Sequence, residues 1–144
     1  MNIITLLAKT TMFFLLMLSI ASCSKEDIAP SDVQSRIIGR WTLQQTSGGI
    51  SGSMQPANPN QKRELIFTSD GRAEFLLNGK TEVPTGYTIQ EKYNTLTGKQ
   101  ETIVDFGAPL SSYAMSMTIL ELTPLKLTLQ EDYADGQRYD YSRL

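Results

Sequence analysis

The sequence predicts an all-β protein: an eight-stranded antiparallel up-and-down barrel with a short helix before its first strand. Three observations predict it. After Gly39 no segment sustains a helical period, whereas eight short segments alternate apolar and polar residues. Turn-forming residues separate several of them: Ser69-Asp70-Gly71, Asn78-Gly79, Thr97-Gly98-Lys99, Thr123-Pro124 and Asp135-Gly136. Eight strands with such connections are enough to close a sheet on itself.

The chain has 144 residues, a length for one small domain. It has no histidine and one cysteine. That excludes a disulfide within the chain, a thiol pair and any histidine-based metal or triad site. The net charge is -2 and no basic cluster stands out, so nucleic acid is not an expected partner. The sequence holds no phosphate loop, nucleophile elbow or metal motif. No cofactor, no metal and no catalytic activity are expected.

Residues 1–22 read as a leader. Lys9 is their one charged side chain, and Met12 to Leu18 form an unbroken apolar run followed by Ser19, Ile20, Ala21 and Ser22. The run is too short for a transmembrane helix, which needs about 20 apolar residues. Ile20-Ala21-Ser22-Cys23 resembles the lipobox of bacterial lipoproteins. That resemblance implies cleavage before Cys23, diacylation of its thiol with palmitate-like chains, and acylation of the new amino terminus. Two or more chains anchor stably, at ~0.8 kcal/mol per buried methylene. Ser24-Lys25-Glu26-Asp27 resembles a surface-export signal of one group of Gram-negative bacteria; a solvated, acidic start to the tether is the alternative. The expected layout is a signal peptide over 1–22, a lipidated cysteine and flexible tether over 23–35, and a barrel over 36–144. The expected location is the outer membrane, lipid-anchored, facing the cell surface or the periplasm.

Ser31 is placed to cap a helix over 32–38, with Asp32 in its first turn and Gly39 at its end. Val33 and Ile37, four apart, share a face. The first strand runs from Arg40 to Thr46, with Trp41 and Leu43 on one face. The second covers 63–68 with Leu65 and Phe67 inward, and the third 72–77 with Ala73, Phe75 and Leu77 in alternation. Lys80 to Val83 starts a fourth, which Pro84 is expected to interrupt. Its better part is Gly86 to Tyr93, with Tyr87, Ile89, Glu91 and Tyr93 on one face. Residues 101–106 make the fifth. Residues 115–122 make the sixth, with Met115, Met117 and Ile119 alternating. Leu125, Leu127 and Leu129 fall in step on the seventh, and Tyr139 and Tyr141 on the eighth, over 137–143. Most strands are too short for a transmembrane barrel, whose strands need about 9–11 residues.

A short helix leading to Gly39-Arg40-Trp41 resembles the opening of lipocalins and related calycins. The order also resembles the lipocalin-like domains of bacterial lipoproteins, through Phe67 to Gly71, Tyr87-Thr88-Ile89, Leu125 to Leu129, and Tyr141 to Arg143. The resemblance spans 36–144. It implies that Trp41 packs at the closed end, that Arg143 lies over it, and that Gly39, Trp41 and Arg143 are structural. The chain is short and lacks the cysteine pairs of larger lipocalins, which argues against a roomy cavity.

Phe75, Tyr87, Ile89, Met117 and Ile119 are candidates to line an apolar interior pocket; filled core is the plainer reading. Ser47 to Gln61 is an uncharged stretch of 15 residues. Its composition predicts a disordered solvent loop, whereas in a lipocalin it would lid the mouth and bring Ile50 and Met54 to a ligand. Residues 107–113 offer Ala108, Pro109, Leu110 and Tyr113 as further rim contacts. Glu91, Asp105 and Glu121 are strand carboxylates of the type used in acid–base work, and Asp132, Asp135 and Asp140 surround a turn in a way that faintly suggests calcium, but solvated strand and turn positions explain them better. The leading expectation is a lipid-anchored module that binds a small hydrophobic molecule. The alternative is a packed barrel that binds another protein or a glycan through its loops.

Overall fold

The computed structural model describes residues 30–95, 97–107 and 116–144. Residues 1–29, where the leader, Cys23 and most of the tether are expected, and Ala108, Pro109, Leu110, Tyr113 and Met115 lie outside the described residues.

Helix α1 spans Pro30–Ile37. Asp32 lies in its first turn and Arg36 in its last, so both charges oppose the helix dipole. The strands are β1 (Gly39–Gly48), β2 (Gln55–Pro56), β3 (Arg63–Phe67), β4 (Arg72–Leu77), β5 (Lys80–Asn94), β6 (Lys99–Phe106), β7 (Ser116–Leu122), β8 (Lys126–Glu131) and β9 (Gln137–Arg143). Their order is β2-β1-β3-β4-β5-β6-β7-β8-β9, all antiparallel, and β1 pairs also with β9. That last pairing closes eight strands into an up-and-down barrel. Closure leaves the two-residue β2 as an appendage on β1 and satisfies the backbone groups that an open sheet would expose.

The register explains the core. Trp41 lies opposite Leu65, and Leu65 opposite Phe75. Tyr87 lies opposite Phe106, Val104 opposite Met117, Leu129 opposite Tyr139, and Tyr141 opposite Leu43. All of these are buried in one cluster, together with Val33 and Ile37 of α1. Period-two alternation therefore puts one face of every long strand inside.

Five expectations are corrected. Val33 belongs to the core, so the folded body includes α1 and reaches back before residue 36. Pro84 does not break its strand: β5 runs unbroken for 15 residues. A register shift between Phe75 and Leu76 on β4 precedes Pro84 in the ladder, which resumes at Phe75 opposite Val83, one pair before Glu74 opposite Pro84. A local bulge of this kind is where a sheet tolerates proline. The stretch 47–61 is not uniformly a solvent loop, because Gln55 and Pro56 pair with Thr46 and Gln45 and Ala57 N donates to Gln44 O at 2.8 Å. Leu125 is not in step with Leu127. Thr123 Oγ1 accepts from the amides of Leu125 and Lys126, a side-chain turn that starts β8 one residue later. Finally, Tyr93 is exposed, because β5 and β6 continue as a hairpin beyond the residues of β6 that pair with β7.

The Asn78-Gly79 hairpin follows from backbone sterics. Both residues have positive φ, 53° and 79°, as a two-residue turn between twisted strands requires.

Candidate functional site

The interior candidates are packed against one another. Phe75, Tyr87 and Met117 are buried members of the core, and Ile89 and Ile119 are partly buried against it. The Phe67 and Tyr87 rings meet edge to face at 4.9 Å, and Phe75 and Phe106 do so at 5.2 Å. Tyr87 OH donates to Thr68 O at 3.1 Å and accepts from Gln34 Nε2 at 3.0 Å, so even its polar end is committed. Burial pushes its phenol above the usual range. The mouth candidates stand apart from this set: Ile50 is 96 % exposed and Met54 66 %.

Trp41, Gly39 and Arg143 meet where α1 runs into β1. Trp41 is fully buried and its Nε1 donates to Ile37 O at 2.8 Å. The Arg143 guanidinium lies 4.3 Å from the Trp41 ring centroid. Its Nη1 donates to Ile38 O at 3.0 Å and its Nη2 to Arg36 O at 2.5 Å. Arg143 thus caps carbonyls at the end of α1 that have no partner within the helix. Gly39 has φ of 139°, and a Cβ there would lie 2.8 Å from Arg143 Nη1. The glycine leaves the space that the guanidinium fills.

The three strand carboxylates considered for acid–base work, Glu91, Asp105 and Glu121, each face solvent or have a partner of their own. Glu91 is exposed, Asp105 accepts from Gln90 at 3.1 Å, and Glu121 pairs with Lys126 at 2.7 Å. Glu64 is buried on β3 and held by Arg40 at 2.7 Å and Lys62 at 2.8 Å. The Arg40 hydrogen bond holds its carboxyl below the usual range. Asp140 is buried and accepts from Gln45 at 2.9 Å, Thr128 at 2.7 Å and Arg138 at 3.2 Å. Burial pushes Asp140 up, but these three donors together outweigh it and hold the group below its ordinary value.

A cleft of about 310 Å³ lies at the tip of the β5–β6 hairpin and the β8–β9 turn. Asn94 Nδ2 donates to Glu101 at 2.7 Å and to Asp132 at 3.1 Å. Lys92 Nζ reaches Asp132 at 3.0 Å. Thr97 and Thr118 donate to Glu101 at 2.7 Å and 3.3 Å. Glu131 is buried and accepts from Tyr133, from Tyr139 at 3.0 Å and from the Gln137 amide at 2.8 Å. The hydrogen bond to Glu131 raises the Tyr133 phenol above its usual range. Exposed Leu120 and Tyr133 complete the lining. The cleft presents carboxylate and amide groups already oriented by neighbours, beside an exposed ring. A few placed polar groups beside apolar surface are what a binding site needs.

Sequence reasoning missed this cleft. Lys92 and Glu101 share a register position, and Asn94 lies on the same hairpin, so those three were in principle legible. Asp132 is 38 residues from Asn94, and nothing local signals their meeting.

No protein-family model matches the chain, and no curated protein matches it. Among solved structures, a lipocalin-like protein from Bacteroides uniformis is similar over 76 % of this chain and 99 % of that chain, at 11 % identity and a TM-score of 0.48.

Proposed function

We propose that this chain is a lipid-anchored lipoprotein of the outer membrane whose lipocalin-like barrel is a non-catalytic binding module, and that it binds at its outer surface. The observation that carries surface binding is the contrast between the two regions. Phe75, Tyr87 and Met117 are buried in the core, whereas the Asn94–Glu101–Asp132 cleft opens to solvent and sets fixed polar groups beside exposed apolar surface. The anchor is supported by the lipobox-like Ile20-Ala21-Ser22-Cys23.

A second reading keeps a small hydrophobic ligand inside the barrel. Ile89 and Ile119 favour it, because these inward positions are only partly buried. It requires Phe75, Tyr87 or Met117 to move aside and Ile50 and Met54 to close over the mouth.

Native mass spectrometry of the protein purified from its own host separates the two. Native and denatured masses that agree support surface binding. An extra mass that is lost on denaturation and extracts as an apolar compound overturns it in favour of the interior site.

A further inference from the structure

The lipid-anchor reading limits how far the barrel can stand from a bilayer. Six residues, 24–29, lie between Cys23 and the first residue of α1. Fully extended, that link reaches at most about 25 Å. On that reading the start of α1 stays within about that distance of the lipid surface, and the chemistry beside the last turn of α1 suits one.

Leu125 is 75 % exposed and Leu144 67 %. The bond from Arg143 N to Leu125 O, 3.0 Å, holds their two segments together. Pro124, also exposed, precedes Leu125 in the β7–β8 turn. Arg36 Nη2 donates to Leu122 O at 2.6 Å, which brings the last turn of α1 beside that turn. Between them is a hollow of about 370 Å³ lined by Ser35, Arg36, Thr123, Pro124 and Arg143. Among the described residues neither Arg36 nor Arg143 pairs with a carboxylate, while Lys126 nearby is matched by Glu121. Asp32, the acid of α1, lies one turn before Arg36.

Resting on the lipid-anchor reading, we propose that this end of the barrel docks on a phospholipid bilayer, with Leu125 and Pro124 entering the interface and the Arg36–Arg143 hollow taking a headgroup phosphate. Apolar side chains beside unmatched cations are what an interfacial contact with anionic lipid uses. The Nη groups that bond Leu122 O from Arg36, and Ile38 O and Arg36 O from Arg143, each carry a second N–H, which is the donor left for a phosphate oxygen. Docking would fix the orientation of the barrel, which a lipid tether alone would leave free.

Amide hydrogen exchange on the full chain tests this, with the protein as purified compared in neutral detergent, in phosphatidylcholine vesicles and in phosphatidylglycerol vesicles. Intact mass of the same sample reads acylation of Cys23. We expect exchange over 122–126 to slow at least tenfold in phosphatidylglycerol vesicles. Leu125→Ser should abolish the slowing, and Arg36→Gln should remove the preference for anionic lipid, with melting temperatures confirming that both variants fold. Unchanged exchange in vesicles with Cys23 acylated overturns docking and leaves the anchor standing. Slowing with Cys23 unacylated overturns the anchor and leaves docking standing. Equal slowing by inorganic phosphate in detergent overturns bilayer docking in favour of a free oxyanion site.

Discussion

The Arg143 guanidinium lies 4.3 Å over the Trp41 ring while its Nη1 and Nη2 bond the carbonyls of Ile38 and Arg36. One side chain on the last strand thus clamps the first strand and the helix end together. Because β1 and β9 also pair directly, with Trp41 opposite Arg143, the clamp sits on the seam that closes the barrel.

The seam should be sensitive to loss of either partner. Trp41→Ala removes a fully buried indole and is expected to cost about 3–5 kcal/mol. Arg143→Met keeps the aliphatic stem but loses the ring attraction and the carbonyl bonds, at about 1–3 kcal/mol. Denaturant unfolding of the single and double variants measures both costs and their coupling. Additive costs would show that the two side chains act separately.

Gly39→Ala is expected to destabilise by about 1–3 kcal/mol, because φ of 139° is strained for alanine and the new methyl meets Arg143 Nη1. Part of that loss should return when Arg143 is also changed to alanine. An identical penalty in both backgrounds would assign the whole effect to the backbone.

Acid should loosen the barrel through Asp140 and Glu64. Both have folded pKa values below their ordinary ones. Their contribution to stability is therefore full above the unfolded carboxylate range, about pH 4, and is lost as pH falls through the lower folded values. Asp140→Asn should flatten the acid side of a melting-temperature profile. A profile as steep as that of the unaltered protein would remove Asp140 from this account.

Cys23→Ser is expected to release the protein from membranes. Fractionation of the cells, with the acyl mass read on the unaltered protein, checks it. A variant that stays with the membrane and has the same mature amino terminus contradicts lipidation at Cys23.

Ile50→Ser and Met54→Ser should leave the melting temperature within about three degrees, because both side chains are largely in solvent and exposed substitutions shift stability little. A large drop in either would place that residue against the barrel.

Much of the fold was legible because strand alternation and turn chemistry are local properties. Trp41 and Leu43, Leu65 and Phe67, Leu127 and Leu129 and Tyr139 and Tyr141 each mark a buried face within a few residues. The exceptions have local causes of another kind. Pro84 is accommodated beside a bulge formed with a neighbouring strand, and Leu125 is displaced by the side chain of Thr123. The candidate site was less legible. Alternation identified Phe75, Tyr87 and Met117 as inward, but an inward residue lines either a pocket or a filled core, and only its neighbours distinguish the two.

The sequence by itself determined that the chain is a strand meander after one short helix, with Trp41 at its start and its apolar residues turned inward. The tertiary structure alone decided that Phe75, Tyr87 and Met117 are buried in one core cluster and that the open cleft lies between the β5–β6 hairpin and the β8–β9 turn. It alone put Arg36 beside Leu122, 86 residues away. The physical reason is range. Periodicity records which side of a strand leaves water, whereas the meeting of distant outer faces depends on how the strands twist, bend and close around the core.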